Sequence, residues 1–333
     1  MLILNESDLR SVLEMSEVID AVEAGFGSLA RGDAVLPERL RLGIPGRRAM
    51  LLEMPAFWQS PPAGGQSEGE RALGSKIVSF FAQNPGRNLD IIQAIYLLLD
   101  AETGVPLCVM DGRFITAIRT AATSAVATKH MARRAPARLA IFGAGVQGRF
   151  HLEAMMCVAE VERVMIASRA VEKARALCDY VEGACQTACR VATPEEAARN
   201  ANLICTCTTS PAPLFDGGLL APGTHVNAVG AFTPTTRELD TEAVRRSRVI
   251  IDAEMAAGKE AGEILIPLAE GAIRADHVKG TLGDVVSGKV AGRVSDEEIT
   301  VFRSCGLAIE DLVTASLAFK KAVASGRGVD VKF

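Results

Sequence analysis

The spacing of apolar residues changes along the chain, and each spacing predicts a different kind of structure. In residues 6–31 apolar side chains recur every three or four positions, which predicts an amphipathic helix with Ser7 as its cap. From about residue 35 to residue 115 short β-rich runs follow, and the last two predict a hairpin around the turn at 101–104. The stretch 60–74, rich in Gly, Ser and Pro, predicts a mobile surface loop.

The pattern changes again near residue 119. Residues 119–134 are mostly small and end in basic side chains, which predicts a helix that leads into a new domain. From residue 138 apolar strands alternate with amphipathic helices, and this order predicts a parallel sheet covered on both faces. Residues 306–326 predict one long helix that ends at Gly326 and packs against the first domain.

These elements predict an α/β protein of two domains. Residues 119–305 form a doubly wound parallel sheet, and residues 1–118 with 306–333 form an α+β domain built from both chain ends. A chain of 333 residues, 49% hydrophobic and 23% charged, is long enough for two domains with filled cores.

Charge and hydropathy argue against nucleic acids and membranes as binding partners. The net charge is −4 and like charges form no block, which argues against a nucleic-acid partner. The first residues lack a basic segment ahead of an apolar run, and the apolar runs are shorter than a membrane span. We therefore expect a soluble cytoplasmic protein without a membrane partner.

The eight cysteines contain no C-x-x-C pair, and several lie within apolar runs. This pattern predicts buried free thiols in a reducing compartment. Cys185 and Cys189 would need two further ligands to hold zinc, and the four histidines lack metal-ligand spacing, so we expect no metal site.

A glycine-rich turn carries the first candidate chemistry. Gly143, Gly145 and Gly148 follow the strand Arg-Leu-Ala-Ile-Phe as G-x-G-x-x-G and precede a predicted helix. The first glycine allows the tight turn, the second lets a pyrophosphate approach the backbone, and the third lets helix and strand pack closely. We predict a Rossmann dinucleotide site that also includes Val146 and Gln147; the alternative is a tight structural turn.

The end of the next strand indicates which nicotinamide cofactor binds. An NAD site usually has a carboxylate there for the ribose hydroxyl, whereas this chain has Ser168 and Arg169. An arginine with a neighbouring hydroxyl suits a 2′-phosphate, so NADP(H) is preferred and NAD(H) is the alternative. The other interpretation of Arg169 is an exposed arginine that opens the next helix.

Several stretches resemble the ornithine cyclodeaminase and mu-crystallin family. They are SKIVSFFAQNPGRNL, VMDGRFITAIRTAATSAVATKH, IFGAGVQGRFH, VNAVGAFTPTTREL and TVFRSCGLAIEDLVTA, and the likeness runs from about residue 37 to residue 320. The resemblance implies a Rossmann domain, an N-terminal domain for substrate binding and dimerisation, and a homodimer. Family members include cyclodeaminases, an archaeal alanine dehydrogenase and reductases of cyclic imino acids, all exchanging hydride at the α-carbon of a small amino or imino acid.

The resemblance also implies roles for single residues. Arg39, Lys76 and Arg119 match the cationic positions that hold the substrate carboxylate, and Val229 with Gly230 match cofactor-binding positions. Arg119 is expected to open a helix, where a cation is misplaced unless an anion binds. Lys76 lies in an apolar stretch that lowers its pKa, so it could also protonate an imine nitrogen. The alternative for each cation is a structural salt bridge.

One departure from the family pattern separates the candidate activities. Phe232 stands where cyclodeaminases carry an aspartate, and Glu53 lies one position from the acidic residue that they place before the Met-Pro pair. Phe232 would then form a wall of the substrate pocket. We therefore predict NADPH-dependent reduction of Δ1-pyrroline-2-carboxylate to L-proline, with Δ1-piperideine-2-carboxylate to L-pipecolate as a further reaction. The alternatives are an ornithine cyclodeaminase, an amino-acid dehydrogenase resembling alanine dehydrogenase, and a non-catalytic binding protein resembling a crystallin.

Overall fold

The computed structural model describes residues 1–60 and 69–332, which form two compact units. The first unit comprises residues 1–119 and the segment from Leu307 onward, and the second comprises Thr120–Gly306. One helix, α3 (Gly112–Met131), contributes to both units. The expected role of the first unit in substrate binding and dimerisation stays a prediction.

The first unit is a mixed sheet with helices packed against it. Its helices are α1 (Glu6–Val12), α2 (Met15–Arg31) and α11 (Ala308–Ser325). Its strands are β1 (Leu2–Leu4), β2 (Ala34–Val35), β3 (Leu40–Gly43), β4 (Ala49–Gln59), β5 (Arg71–Phe81), β6 (Ile92–Leu99), β7 (Pro106–Asp111) and β16 (Val329–Asp330). The strand order is β16-β1-β7-β6-β5-β4-β2, with β3 also paired to β4. Only the β1–β7 pair among these described strands is parallel.

The N-terminal helical region differs from its prediction. It consists of two helices rather than one, because the backbone becomes extended at Leu13. The cap is Asn5 and not Ser7, since the Asn5 side chain accepts the N–H of Asp8 while the Asp8 carboxylate accepts that of Asn5. This reciprocal pair satisfies two backbone donors, which Ser7 inside the first turn does not do.

Other elements of the first unit follow the sequence pattern. The predicted hairpin is confirmed, since β6 and β7 pair antiparallel. The long C-terminal helix is confirmed and ends at Gly326, which takes the left-handed φ of 63°. Of the predicted loop at 60–74, residues 61–68 lie outside the described residues and residues 71–74 belong to β5.

The strand register places one row of buried side chains across the first sheet. Met54 pairs with Lys76, Lys76 with Tyr96, Tyr96 with Met110, and Met110 with Leu4. Paired residues point to the same face, and these five are at most 4% exposed. Helix α11 packs against β4, β5 and β6. The register therefore carries a lysine into the core.

The second unit is a parallel sheet with helices between its strands. The strands are β8 (Ala137–Phe142), β9 (Val161–Ala167), β10 (Ala188–Val191), β11 (Leu203–Thr206), β12 (His225–Ala228), β13 (Ser247–Ile251), β14 (Val278–Thr281) and β15 (Ile299–Arg303). The helices are α4 (Val146–Val158), α5 (Val171–Ala184), α6 (Pro194–Asn200), α7 (Thr241–Arg245), α8 (Glu254–Glu260), α9 (Gly262–Ala269) and α10 (Leu282–Val286).

The order of the second sheet is β10-β9-β8-β11-β12-β15-β13-β14, and every recorded pair is parallel. The chain winds outward from β8 in one direction and then returns to place β11 on its other side. The predicted α/β class, with a doubly wound sheet and an α+β domain, is confirmed. Between β8 and β11 lies the switch in strand order at which such sheets bind ligands.

Two further predictions concern membrane-spanning helices and the burial of the cysteines. No helix in residues 1–60 or 69–332 is long and apolar enough to cross a membrane. The prediction that the cysteines are buried is only partly right. Cys108, Cys178 and Cys205 are buried, whereas Cys157 is exposed and the other four are half-buried.

Candidate active site

Two cations and two carboxylates meet in the interior of the first unit. Lys76 Nζ lies 2.8 Å from Asp311 Oδ1 and 2.7 Å from Oδ2, and Arg119 Nε donates to Asp311 Oδ1 at 3.0 Å. Arg119 Nη1 donates to Glu310 Oε2, and Glu310 Oε1 accepts the N–H of Leu307. None of the four charged residues is more than 5% exposed. We call this group the buried quartet.

The position of Arg119 corrects one expectation. Helix α3 begins at Gly112, because the Asp111 carboxylate accepts the N–H groups of Arg113 and Phe114 and so caps the helix. Arg119 therefore lies two turns inside the helix and does not open it. The anions beside it belong to Glu310 and Asp311 of the same chain.

The charge of Lys76 is set by opposing effects. Burial, followed by repulsion from Arg119, lowers the pKa of Lys76 to about 8, while attraction to Asp311 and Glu310 acts in the other direction. A lysine with a pKa near the working pH can hold a proton and also release it. The predicted lowering of this pKa thus agrees with the geometry of the site.

A buried phenol lies next to the quartet. Tyr96 pairs with Lys76 across β5 and β6 and is fully buried, and its hydroxyl has no hydrogen-bond partner among the described residues. Burial and the nearby Asp311 charge raise the pKa of Tyr96. A Cβ at Gly74 would lie 2.6 Å from this hydroxyl, so the ring needs a glycine at that position.

Sequence reasoning did not find Glu310, Asp311 or Tyr96. The available signal was a pair of adjacent acids inside an otherwise apolar helix, in Leu-Ala-Ile-Glu-Asp-Leu-Val. Buried carboxylates need cationic partners, so this pair could have been matched to Lys76 and Arg119. Arg39, the third predicted cation, is half-buried and immediately precedes β3.

The glycine-rich turn lies between β8 and α4 in the second unit. Gly143 has a left-handed φ of 102°, and a Cβ at Gly148 would lie 1.9 Å from the Gly143 carbonyl oxygen. A Cβ at Gly145 would meet nothing within 4 Å. Gly145 also caps α4 without a side-chain hydrogen bond, so the N–H groups of the first turn are left for a ligand.

The residues between these glycines face different surroundings. Val146 is 65% exposed at the first position of α4. Gln147 Oε1 is buried and has no hydrogen-bond partner within the described ranges. Val146 thus offers an apolar surface, and Gln147 Oε1 offers a hydrogen-bond acceptor. Both lie at the start of α4, where backbone N–H groups are available, so this place suits a ligand with apolar and polar groups.

The other predicted cofactor residues follow neighbouring strands of the same sheet. Ser168 and Arg169 come directly after β9, where Ser168 Oγ accepts the N–H of Ala170 and Arg169 is exposed. The loop at 207–208 lies against both glycine turns, since a Cβ at Gly143 would meet Cys207 and one at Gly230 would meet Thr208. The carboxyl ends of β9, β8, β11 and β12 thus bring these predicted residues to one edge.

Buried charges hold the loop that follows β12. Glu238 is fully buried and accepts the N–H groups of Thr208 and Gly230, each at 2.7 Å.

A second buried charge, Arg303, donates to the carbonyl oxygens of Ala228 and Ala231, and its Nε lies 2.7 Å from Glu263. These bonds fix the backbone of Val229 and Gly230 and of the neighbouring Phe232, which is half-buried.

The strand order, the glycine turn and its open helix terminus define a Rossmann-type dinucleotide-binding fold. The chain belongs to the ornithine cyclodeaminase/mu-crystallin family, whose sequence model matches residues 1–326. The predicted family is therefore confirmed.

Relatives cover the whole length of the chain. A Δ1-pyrroline-2-carboxylate reductase of Bacillus cereus is 36% identical over 335 residues and is covered completely, as is this chain. The structure of Thermococcus litoralis Δ1-pyrroline-2-carboxylate reductase with NADH and L-proline is 37% identical, with a TM-score of 0.93 over 99% of this chain and 100% of that one. An archaeal alanine dehydrogenase dimer with bound NAD is 33% identical, with a TM-score of 0.91 over 100% of this chain and 99% of that one.

Proposed function

We propose that the protein is an NAD(P)H-dependent reductase of cyclic imino acids that converts Δ1-pyrroline-2-carboxylate to L-proline and accepts the six-membered Δ1-piperideine-2-carboxylate. The buried quartet is the observation that carries this proposal. It holds a lysine with a pKa of about 8 beside an arginine, which suits a substrate with a carboxylate and an imine nitrogen that needs a proton. The reductase names of full-length relatives support the same reaction.

The second unit would hold the nicotinamide nucleotide. The open space at Gly145 and the uncapped N-terminus of α4 fit a pyrophosphate, with Val146, Gln147, Val229 and Gly230 beside it. When bound, the cofactor supplies the hydride that reduces the imine carbon. Exposed Arg169 with the hydroxyl of Ser168 suits a 2′-phosphate, so we propose that NADPH is preferred over NADH.

In the first unit, Arg119 would orient the substrate carboxylate and Lys76 would donate the proton that the imine nitrogen requires. The four charges of the quartet cancel when all are ionised, and a substrate carboxylate adds a further negative charge. Anion binding therefore favours protonated Lys76 and raises its pKa, which keeps the proton available until the nitrogen takes it. Arg39 would supply additional positive charge to the carboxylate.

The main competing function is ornithine cyclodeamination, which also requires the loss of ammonia. Phe232 cannot act as a base, and in the described sequence from Gly230 onward the first carboxylate is Glu238, whose oxygens accept backbone and threonine donors. This observation favours the reductase. An alanine dehydrogenase-like reaction would also use the quartet, so the choice of substrate has to be measured.

The decisive experiment follows NADPH absorbance and ammonia with the purified protein. We expect rapid NADPH oxidation with Δ1-pyrroline-2-carboxylate, slower oxidation with pyruvate plus ammonia, and no ammonia from L-ornithine with or without NAD. Ammonia release from L-ornithine at a rate comparable to the reductase would overturn the assignment. Turnover of pyruvate plus ammonia faster than that of the cyclic imine would favour the dehydrogenase instead.

We also propose that the protein is a cytoplasmic homodimer. The archaeal relative of known structure is a dimer, and Ile95 on β6 is 49% exposed in the isolated chain. Pairing of two first units would cover apolar positions of this kind. Light scattering at micromolar concentration should give the mass of two chains, and a monomer would contradict the proposal.

A further inference from the structure

Two cysteines of the second unit meet on elements that carry none of the candidate site residues. Cys178 lies on α5 and Cys189 on β10, the edge strand of the parallel sheet, and their sulfur atoms are 2.6 Å apart. A disulfide bond is about 2.05 Å long, so the sulfurs need to approach by only about half an ångström to bond. We propose that Cys178 and Cys189 are a thiol modification site that forms a reversible intramolecular disulfide.

The surrounding backbone holds the two thiols together. Helix α5 packs against β10, and the Cys189 N–H donates to Glu182 Oε1 of that helix at 3.4 Å. Only residues 185–187 separate the two elements, so neither can move far from the other. A thiol fixed beside its partner reacts as if that partner were present at very high concentration.

Exposure and acidity determine how the site reacts. Cys189 is half-buried and Cys178 is 7% exposed, so a dissolved reagent meets Cys189 first. Burial raises the pKa of both thiols. Since the thiolate is the nucleophile, oxidation should be slow at neutral pH, unlike that of a peroxide-sensing cysteine.

A low-molecular-weight disulfide such as oxidised glutathione is the oxidant. The Cys189 thiolate attacks one glutathione sulfur, and the other glutathione leaves as a thiolate. The Cys178 thiolate then attacks the Cys189 sulfur and releases the second glutathione. The two protein sulfurs lose two electrons, the glutathione disulfide gains them, and the two cysteine protons end on the glutathione thiols.

The test treats the full chain with excess oxidised glutathione, blocks the remaining thiols by alkylation and measures the intact mass. We expect most molecules to lose two hydrogen atoms and to carry no glutathione on Cys178 or Cys189, whereas the exposed Cys157 can bind glutathione by itself. Cleavage after Arg175, Glu182 and Arg190 separates Cys178 from Cys189, so the disulfide should join two peptides. Because Cys185 and Cys189 lie in one of these peptides, fragmenting its backbone between them in the mass spectrometer shows which of the two is bonded to Cys178.

Two matched variants test whether Cys178 or the nearby Cys185 is the partner of Cys189. Cys178→Ser should stop at a glutathione adduct on Cys189, whereas Cys185→Ser should still form the disulfide. The disulfide should also raise Tm by several degrees, and dithiothreitol should reverse the rise. A wild-type protein in which Cys178 and Cys189 stay reduced, Cys189 keeps glutathione, or Cys178 joins Cys185 would overturn the proposal. This result does not depend on any variant or on the enzymatic assignment.

Discussion

The Lys76 ammonium lies 2.8 Å from Asp311 Oδ1 although 235 positions separate the two residues in the chain. The same carboxylate accepts a hydrogen bond from Arg119, so one acid on α11 holds both cations. All three groups are buried, and solvent screens their interaction much less than it would at the surface. The protonation of Lys76 therefore depends on Asp311.

The first prediction concerns the pH dependence of reduction. The charged groups facing Lys76 are Asp311 and Glu310 from α11 and Arg119 from α3, with the Tyr96 phenol from β6. If protonated Lys76 donates the proton, kcat/KM should be level below its pKa and fall as the pH rises through about 8. Asp311→Asn removes an attraction that raises this pKa, so the fall should move to lower pH.

Two further variants check that result. Glu310→Gln should move the pH profile less than Asp311→Asn, because Glu310 has the weaker effect on the pKa of Lys76. Lys76→Met should lower kcat/KM by about 10² to 10⁴ and abolish the alkaline fall. A profile that is the same in the wild type and in Asp311→Asn would mean that Lys76 is not the titrating acid.

The second prediction concerns the forked contacts of Arg119. Its Nε and Nη1 reach two different carboxylates, which a single lysine ammonium cannot reproduce. Arg119→Lys should lower kcat/KM by about tenfold or more and also lower Tm by several degrees, since breaking a buried ion pair typically costs about 3–5 kcal/mol. Arg175→Lys, in the exposed pair with Glu172, is the control and should leave both quantities unchanged. Equal behaviour of the two variants would exclude the proposed role of Arg119.

The third prediction compares two glycines of one turn. Gly148→Ala should lower Tm strongly, because its Cβ would lie 1.9 Å from the Gly143 carbonyl oxygen. Gly145→Ala should leave Tm unchanged, since nothing lies within 4 Å of its Cβ, yet weaken NADPH binding by filling the space beside the helix terminus. Thermal melts and NADPH fluorescence titrations measure the two effects. Normal binding by Gly145→Ala would mean that the pyrophosphate lies elsewhere.

The fourth prediction tests the choice of cofactor. A hydrogen bond to a charged group contributes roughly 1.5–3 kcal/mol, so Arg169→Ala should weaken NADPH binding by about tenfold or more. NADH lacks the 2′-phosphate and should bind as before. Arg175→Ala, on the helix α5 that follows Arg169, is the control and should affect neither cofactor. Equal losses for NADPH and NADH in Arg169→Ala would refute a phosphate contact.

Local patterns in the sequence predicted much of the second unit. The strand, turn and helix around Gly143 depend on periodicity and on glycine positions within about twenty residues, so sequence alone identified them. The short strands β14 and β15 were missed. β14 (VKGT) contains a single large apolar residue, and β15 (ITVFR), although buried, is only five residues long, which is too short for periodicity to distinguish a strand from a helix segment.

Only two of the four residues of the buried quartet could be predicted from the sequence. Resemblance to the family indicated Lys76 and Arg119, but their partners come from α11, nearly two hundred or more positions away. Periodicity shows which face of an element is buried and not which residue of a distant element lies opposite. The start of α3 was also placed too late, because the cap that Asp111 provides was not recognised.

The first unit is interrupted by the second, and this connectivity imposes an order on synthesis. Lys76 and Arg119 leave the ribosome first, residues 120–306 follow, and α11 is made only after those residues. Until α11 arrives, Glu310 and Asp311 are missing, and burying the two cations without them would be strongly unfavourable. Most strands of the second sheet therefore leave the ribosome before α11, whereas Lys76 and Arg119, which are made earlier still, reach their folded positions only when α11 is present.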